Sequence, residues 1–435
     1  MNLLKLSWKN LTNKPLSMTL SLVLFALGVG LISLLLLLNK QLQDKFDKNL
    51  AGIDLVVGAK GSPLQLILCN MYHIDAPTGN VSIDEVKAFL NPRHPLIKTT
   101  VPLSVGDSYK SYRIVGTNHT MLDLYNAKIG EGKLWEKPFE VTLGAEVASA
   151  LKMKVGDKFF SSHGFVLDEN LEHSDTEPFV VVGILQVTGS VIDQLILTPS
   201  QTTWLVHEHE EEGEAGNGEP EVGNEPETHD STEIHHDHKD YGDVNTPLMN
   251  FPEKEITSVL VQFRARNYQA LNMQRSINEN TDLQAATPAI EINRLYAMMG
   301  VGEDALRALA LVIIFVSGLS VFISLYSSLK ERKYELALMR VMGSSPSKIF
   351  LLIVLEGIIL AIVGFVIGIA LSHIGMETLA GALKTSYRYS FSGAIFLKEE
   401  LYLLGAALLI GFVAAVIPAI QASNTDISNT LAEAS

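Results

Sequence analysis

Four apolar runs constrain this chain more than any other feature. Residues 16–38 carry no charge over 23 positions, and further apolar stretches occupy residues 308–326, 349–372 and 401–420. At about 1.5 Å per residue, a helix of some 20 residues covers the ~30 Å hydrocarbon core of a bilayer. Each run is therefore expected to cross the membrane as a helix, and the only charge inside them is Glu356. Their spacing is uneven, with one span near the N-terminus and three after a long polar interval.

Basic residues set the expected orientation. Lys5, Lys9 and Lys14 precede the first run, and Lys330, Arg332, Lys333, Arg340 and Lys348 lie between the second and third, which places both segments in the cytoplasm. Lys384, Arg388 and Lys398 follow the third run and the tail has no Lys or Arg, so the orientation rests on the first two segments. Four spans then put both termini in the cytoplasm. The first run is too long for a secretory signal and lacks a small-residue cleavage pattern before Asn39 and Lys40, so it reads as a retained anchor. Ahead of it, Leu3, Leu4, Trp8 and Leu11 alternate with Lys5 and Lys9, which predicts an amphipathic helix on the inner surface. The predicted order is an N-terminal helix at 1–15, a span at 16–38, an extracytoplasmic segment at 39–304 and a span at 305–328. A cytoplasmic helix at 329–348, a span at 349–373, an outer loop at 374–400, a span at 401–420 and a tail at 421–435 complete it.

The short charged segment between the second and third spans carries the functional signal. Tyr334, Leu338, Val341 and Met342 fall at i, i+4, i+7 and i+8, one stripe of a helix, while Glu331, Arg332, Glu335 and Arg340 stay polar. Gly343 suits a helix stop, and Ser345 before Pro346 suits the cap and first position of the next helix. With Glu331-Arg332, Glu335, Leu338-Met339-Arg340 and Gly343, the segment resembles the cytoplasmic coupling segment of the MacB/FtsX family of ABC-transporter permeases. Pro418-Ala419-Ile420-Gln421-Ala422, with Asp426 and Leu431, is similar to the family's ending and departs from it at Ile427, where proline is frequent. Glu356 two turns into the third span also fits that pattern; pairing with Arg340 and an ion or proton relay are its two readings. Gly357, Gly364 and Gly368 of the same span would let helices approach closely.

The resemblance implies an α-helical membrane protein with four transmembrane helices and a large extracytoplasmic α+β domain, the MacB-like periplasmic core, between the first and second spans. It further implies a bacterial inner-membrane permease subunit without catalysis of its own, acting as a homodimer with a separate ABC ATPase that holds the ATP. A periplasmic protein partner would fit the same family.

Leu42, Phe46 and Leu50 after the first span, and Ile292, Leu295, Tyr296 and Met299 before the second, predict helical stalks. Strands are expected at 53–57, 112–115, 139–143, 179–185 and 256–263, and helices at 82–90, 146–152 and 269–278. Gly144-Ala145-Glu146-Val147-Ala148, Val155-Gly156-Asp157 and Val182-Gly183-Ile184-Leu185 look like the MacB-type core, which implies a porter-like lobe and a smaller β-rich lobe. Residues 58–63 read as a Gly-rich turn rather than a phosphate loop, because GxxxxGK[ST] is absent from the sequence. HExxH and GxSxG are absent too, and Cys69 is the only cysteine, expected as a small buried residue without a disulfide partner in the chain.

Residues 206–252 form an acidic insert expected to be disordered. Within 207–243 there are fourteen acids and one Lys, a net of −13 against −15 for the whole chain, which leaves −2 elsewhere. The acidity belongs to one loop and gives no footprint for nucleic acid. Six of the twelve histidines, His207, His209, His229, His235, His236 and His238, lie there, and their His-x-His pairs beside carboxylates could hold zinc transiently. His163 and His173 could add a second metal site near its root, and His119 belongs to the folded portion. Two rivals to an ATP-driven permease follow: a metal-uptake permease using the insert, and a non-transport regulator of a cell-envelope hydrolase.

Overall fold

The computed structural model describes residues 3–12, 15–163, 177–206, 241–386 and 391–424. Helices α1 (Leu3–Thr12) and α2 (Pro15–Leu50) open the chain, followed by β1 (Leu55–Ala59), α3 (Pro63–Met71), β2 (Val81–Ser82), α4 (Ile83–Leu90), β3 (Ile97–Tyr109) and β4 (Tyr112–Thr117). Next come α5 (Thr120–Tyr125), β5 (Ile129–Gly132), β6 (Glu140–Leu143), α6 (Ala145–Leu151), β7 (Lys158–Phe159), β8 (Ser162–His163), β9 (Phe179–Leu185) and β10 (Ile196–Pro199). The chain continues through β11 (Glu255–Ile256), β12 (Ser258–Phe263), α7 (Tyr268–Asn280), β13 (Leu283–Ala286), α8 (Pro288–Glu331), α9 (Lys333–Val341), α10 (Pro346–Ser386) and α11 (Glu399–Ser423). Two compact units result, one of residues 1–43 and 297–435 and one of residues 44–296.

Among the described residues, four helical segments are long and apolar enough to cross a membrane, Met18–Leu50, Asp304–Glu331, Pro346–Gly381 and Glu399–Ser423, and all but the end of the first lie in the first unit. Glycines bring them together. A Cβ on Gly357 of α10 would sit 2.7 Å from the Gly411 carbonyl oxygen of α11, and one on Gly411 would sit 2.6 Å from Ala361 Cβ. On another face of α10, a Cβ on Gly368 would lie 2.7 Å from the Ala26 carbonyl oxygen of α2. The close approach expected of these glycines therefore involves two neighbours. Of the expected outer loop at 374–400, residues 374–386 continue α10, with no proline to stop the helix.

In the second unit eleven of the described strands form one sheet in the order β13-β1-β12-β3-β4-β10-β6-β9-β5, with β7 on β9 and β8 on β3, and β11 pairs with β2 in a separate two-stranded sheet. β3 is shared: Val101 to Leu103 face Leu260 to Ser258 of β12, whereas Ser104 and Val105 face Gly116 and Val115 of β4. The two lobes implied by the resemblance are accordingly two halves of a continuous sheet. β10 runs parallel to β4, and β6 to β9. Alternating apolar residues of β9 and the inward faces of α4 and α6 fill the core around Phe139, Phe159 and Phe179.

Each predicted strand and helix of this unit is present to within a few residues. Ser82 caps α4 through Glu85 N–H at 3.3 Å and Glu85 returns a carboxylate to Ser82 N–H at 3.0 Å, a capping box. Residues 58–63 are not wholly a turn: Gly58 and Ala59 end β1, and Ser62 caps α3 ahead of Pro63. Phe46 stacks edge-on with Tyr72 and Tyr296, at centroid distances of 4.9 and 5.6 Å, in line with the stalk stripes. The Tyr296 hydroxyl is pushed up to about 12 by burial and by Asp47 and Asp44. The insert is shorter than expected. Val206 and Tyr241 are buried, Val244 N–H donates to the Glu136 carbonyl, and Trp204 meets Tyr241 and Phe251 edge-on, so residues 241–252 belong to the domain.

Candidate functional site

The coupling segment folds as a helix with two faces. Arg332 (φ −101°, ψ 11°) leaves the helical path after α8, and α9 begins at once. At its far end Gly343 takes φ +94°, and Ser344 N–H reaches the Met339 carbonyl at 3.0 Å while Gly343 N–H reaches Arg340 at 3.0 Å. That left-handed residue closes the helix as the glycine suggested. Pro346 starts α10, as predicted.

Leu336 and Ala337 are buried, and Leu336 packs with Leu329, Ile349, Leu352, Ile353, Val354, Ala419 and Ala422. The predicted stripe points the other way: Tyr334, Leu338, Val341 and Met342 are 50, 43, 59 and 71 % exposed. One face of α9 thus anchors the segment to the ends of the membrane helices, and the other offers an apolar ridge next to Glu335.

The charged residues divide similarly. Arg332 is not a solvated surface charge, because its Nη1 lies 3.2 Å from Glu356 Oε1 and its Nε 3.5 Å from Glu335. The same Glu356 oxygen accepts from Asn10 Nδ2 of α1 at 2.8 Å. The pairing expected for Glu356 is correct in kind and wrong in partner, since Arg340 donates to the Ser423 carbonyl at 3.2 Å. Nearly three turns of α10 separate Glu356 from its start at Pro346, and Arg332, in the break between α8 and α9, is the cation that reaches it. Glu331 closes α8 beside this site.

Asn10 is the partner of Glu356 that the sequence reading missed. The expected amphipathic helix exists, but Ser7, Asn10 and Leu11 form its buried side, with Ser7 Oγ donating to the Leu352 carbonyl at 3.3 Å. Leu4 and Trp8 are exposed. The available signal was the spacing of Ser7 and Asn10 with Leu3 and Leu6, a second helical stripe with polar members.

The six insert histidines, like His173, lie outside the described residues. Among the described residues no group of three or more His, Cys, Asp or Glu could hold a metal ion. His119 contacts the Trp135 carbonyl at 2.7 Å, and His163 sits opposite Asp107 in the β3–β8 pair. Cys69 is buried as expected, 3.4 Å from Arg113 Nη1, and burial pushes its thiol up despite the neighbouring guanidinium.

Comparison with known proteins covers both units. The FtsX-like permease C-terminal family matches residues 307–427, and the MacB-like periplasmic core domain matches residues 18–222. No curated protein sequence matches the chain. Among solved structures, the periplasmic region of MacB from Actinobacillus actinomycetemcomitans aligns at 12 % identity and a TM-score of 0.31, covering 58 % of this chain and 97 % of that one. The extracellular domain of the noncanonic ABC-type transporter YknZ from Gram-positive bacteria aligns at 12 % identity and a TM-score of 0.28, covering 54 % and 99 %. With one family profile on the spans that flank α9 and the other on the domain between the first two spans, this multi-pass membrane chain belongs to the MacB/FtsX family of permeases.

Proposed function

We propose that the chain is the permease subunit of a bacterial inner-membrane ABC transporter, working as a homodimer with a separate ATPase and with both termini in the cytoplasm. Closure of the ATPases pushes on α9, and the long helices α2 and α8 relay the movement to the domain between them, where a periplasmic partner would be engaged. ATP is bound and hydrolysed by the partner, not here. The observation that carries this reading is the exposed ridge of Tyr334, Leu338, Val341 and Met342 on a helix whose opposite face is locked by Leu336 and Ala337. An apolar ridge held rigidly beside charges fits a groove on another protein better than it fits water.

Replacing Leu338 and Met342 together by Glu tests it. The variant is expected to reach the membrane and elute like the parent while losing copurification of the ATPase that accompanies the wild type. Unchanged copurification and unchanged ATPase stimulation would overturn the assignment of the ridge.

A further inference from the structure

The far end of α10 carries a polar cluster that ATPase coupling leaves unused. His373 lies about 25 Å beyond Glu356 along the helix. Its Nδ1 meets the Gly393 carbonyl oxygen, and its Nε2 lies 3.1 Å from Oε1 of Glu400 in the first turn of α11. Ser33 of α2 donates to the same Oε1 at 3.0 Å, and Leu397 N–H donates to Oε2 at 3.4 Å. The Phe396 ring lies over the imidazole at 4.4 Å between centroids. Gly393 N–H is held by Glu377 at 2.8 Å, and Gln41 of α2 exchanges two 2.9 Å bonds with Ser392. His373 and Glu400 side chains are only 12 and 7 % exposed.

Counting hydrogens fixes the state of the pair. A carbonyl oxygen only accepts, so Nδ1 bears a hydrogen. An ionised carboxylate also only accepts. Neutral imidazole protonated at Nδ1 would therefore aim the Nε2 lone pair at a carboxylate oxygen, a repulsive contact at this distance. The contact needs one more proton, on the ring or on Glu400. Both assignments give the pair zero net charge, the less costly state for groups this buried.

We propose that His373 and Glu400 form a proton-binding site whose occupancy holds the 391–398 connection against the ends of α2, α10 and α11. The titratable groups facing His373 in this cluster are Glu400 and, through Gly393, Glu377; Ser33, Gln41 and Phe396 are neutral, and none of these contacts supplies a cation in place of the proton. The packing of this end of the bundle then follows the pH of the compartment it faces. When the proton leaves, Glu400 keeps Ser33 and Leu397, whereas His373 loses its partner and loosens its hold on Gly393 and Phe396.

The test is a nitroxide at Ala394→Cys, an exposed position in the connection, in full-length protein with Cys69→Ala, reconstituted in nanodiscs. Spectra are recorded from about pH 5 to about pH 9, a window wide enough to show a one-proton transition. The label is expected to pass from immobile to mobile as pH rises, its two populations changing about tenfold per pH unit within a one-proton transition. Glu400→Gln, whose amide N–H can donate to a neutral Nε2, is expected to stay immobile throughout, and His373→Phe to stay mobile. A parent spectrum constant across the range, or a transition that survives in Glu400→Gln, would overturn the proposal.

Discussion

Removing Arg332 while leaving Glu356 in place is the sharpest test of how α9 is tied to the bundle. The Glu356 side chain is 2 % exposed and has two charge-stabilising neighbours, Arg332 at 3.2 Å and Asn10 at 2.8 Å. In Arg332→Ala only the neutral amide remains, and a buried carboxylate stripped of its cation costs about 3–5 kcal/mol. Glu356→Ala should be milder, because Arg332 lies at the edge of the site with Glu335, itself 70 % exposed, 3.5 Å away. Replacing both by apolar residues, Arg332→Met with Glu356→Leu, removes the charge along with its partner and should fall within about 1 kcal/mol of the parent. The sum of the single effects then exceeds the double effect by roughly 3 kcal/mol or more. The assay is thermal unfolding of the four proteins in one detergent, with ATPase stimulation measured alongside. Coupling predicts that the double variant recovers stability but not full stimulation, since the polar link that ties the start of α9 through Glu356 to Asn10 of α1 has gone while the packing of Leu336 remains. Additive single effects, or a double variant with full stimulation, would refute the reasoning.

Three other outcomes follow from separate features. Excising residues 207–240 and joining Val206 to Tyr241 by a short Gly/Ser linker should leave the thermal midpoint almost unchanged, because the Trp204 and Tyr241 rings, 5.6 Å apart between centroids, pin the two roots to one another and each doubling of loop length costs only about 0.6 kcal/mol; a fall of many degrees in a melt would contradict this. Zinc should bind the isolated segment 207–243 more tightly than calcium at about pH 7.5, with affinity lost near pH 5.5 and on replacing the six histidines by Asn, as isothermal titration would report; equal weak binding of both ions would reduce the segment to a solvated tether. Burial works against ionised Glu140, but Glu136 and Lys137 N–H groups at 2.8 and 3.2 Å and Lys133 hold its carboxyl below the usual range. A depressed folded value means stability present at neutral pH and lost as pH falls through it. Glu140→Gln should accordingly melt lower than the parent at neutral pH, with the gap closing in acid; a pH-independent gap would count against the carboxylate's role.

The membrane spans and α9 were legible because their signals are local: uninterrupted apolar runs, a stripe repeating every helical turn, and a glycine where the backbone turns left-handed. Strands such as β9 were legible through alternation over seven residues. β3 was not, since Pro102 and the Ser-Val-Gly-Asp-Ser stretch break its pattern; its 13 residues are extended because β12, β4 and β8 supply partners from distant parts of the chain. Partner choice was equally illegible. Nothing within a few residues of Glu356 points to Asn10, 346 positions away, and His373 and Glu400 fall just outside the apolar runs that draw attention. Burial by tertiary packing, not sequence context, makes these side chains matter.

The shared strand β3 has a mechanical consequence. Two lobes joined by a flexible connector would absorb a small push as bending at the connector. Here β12 pairs with residues 97–103 of β3 and β4 with residues 104–109, so the seam between the halves falls inside one strand, at Leu103 and Ser104. Thr257 staples that seam: its N–H donates to the Leu103 carbonyl at 2.8 Å, and its hydroxyl oxygen accepts from Val105 N–H at 2.9 Å. A push on one half therefore reaches the other through the strand backbone and this one residue.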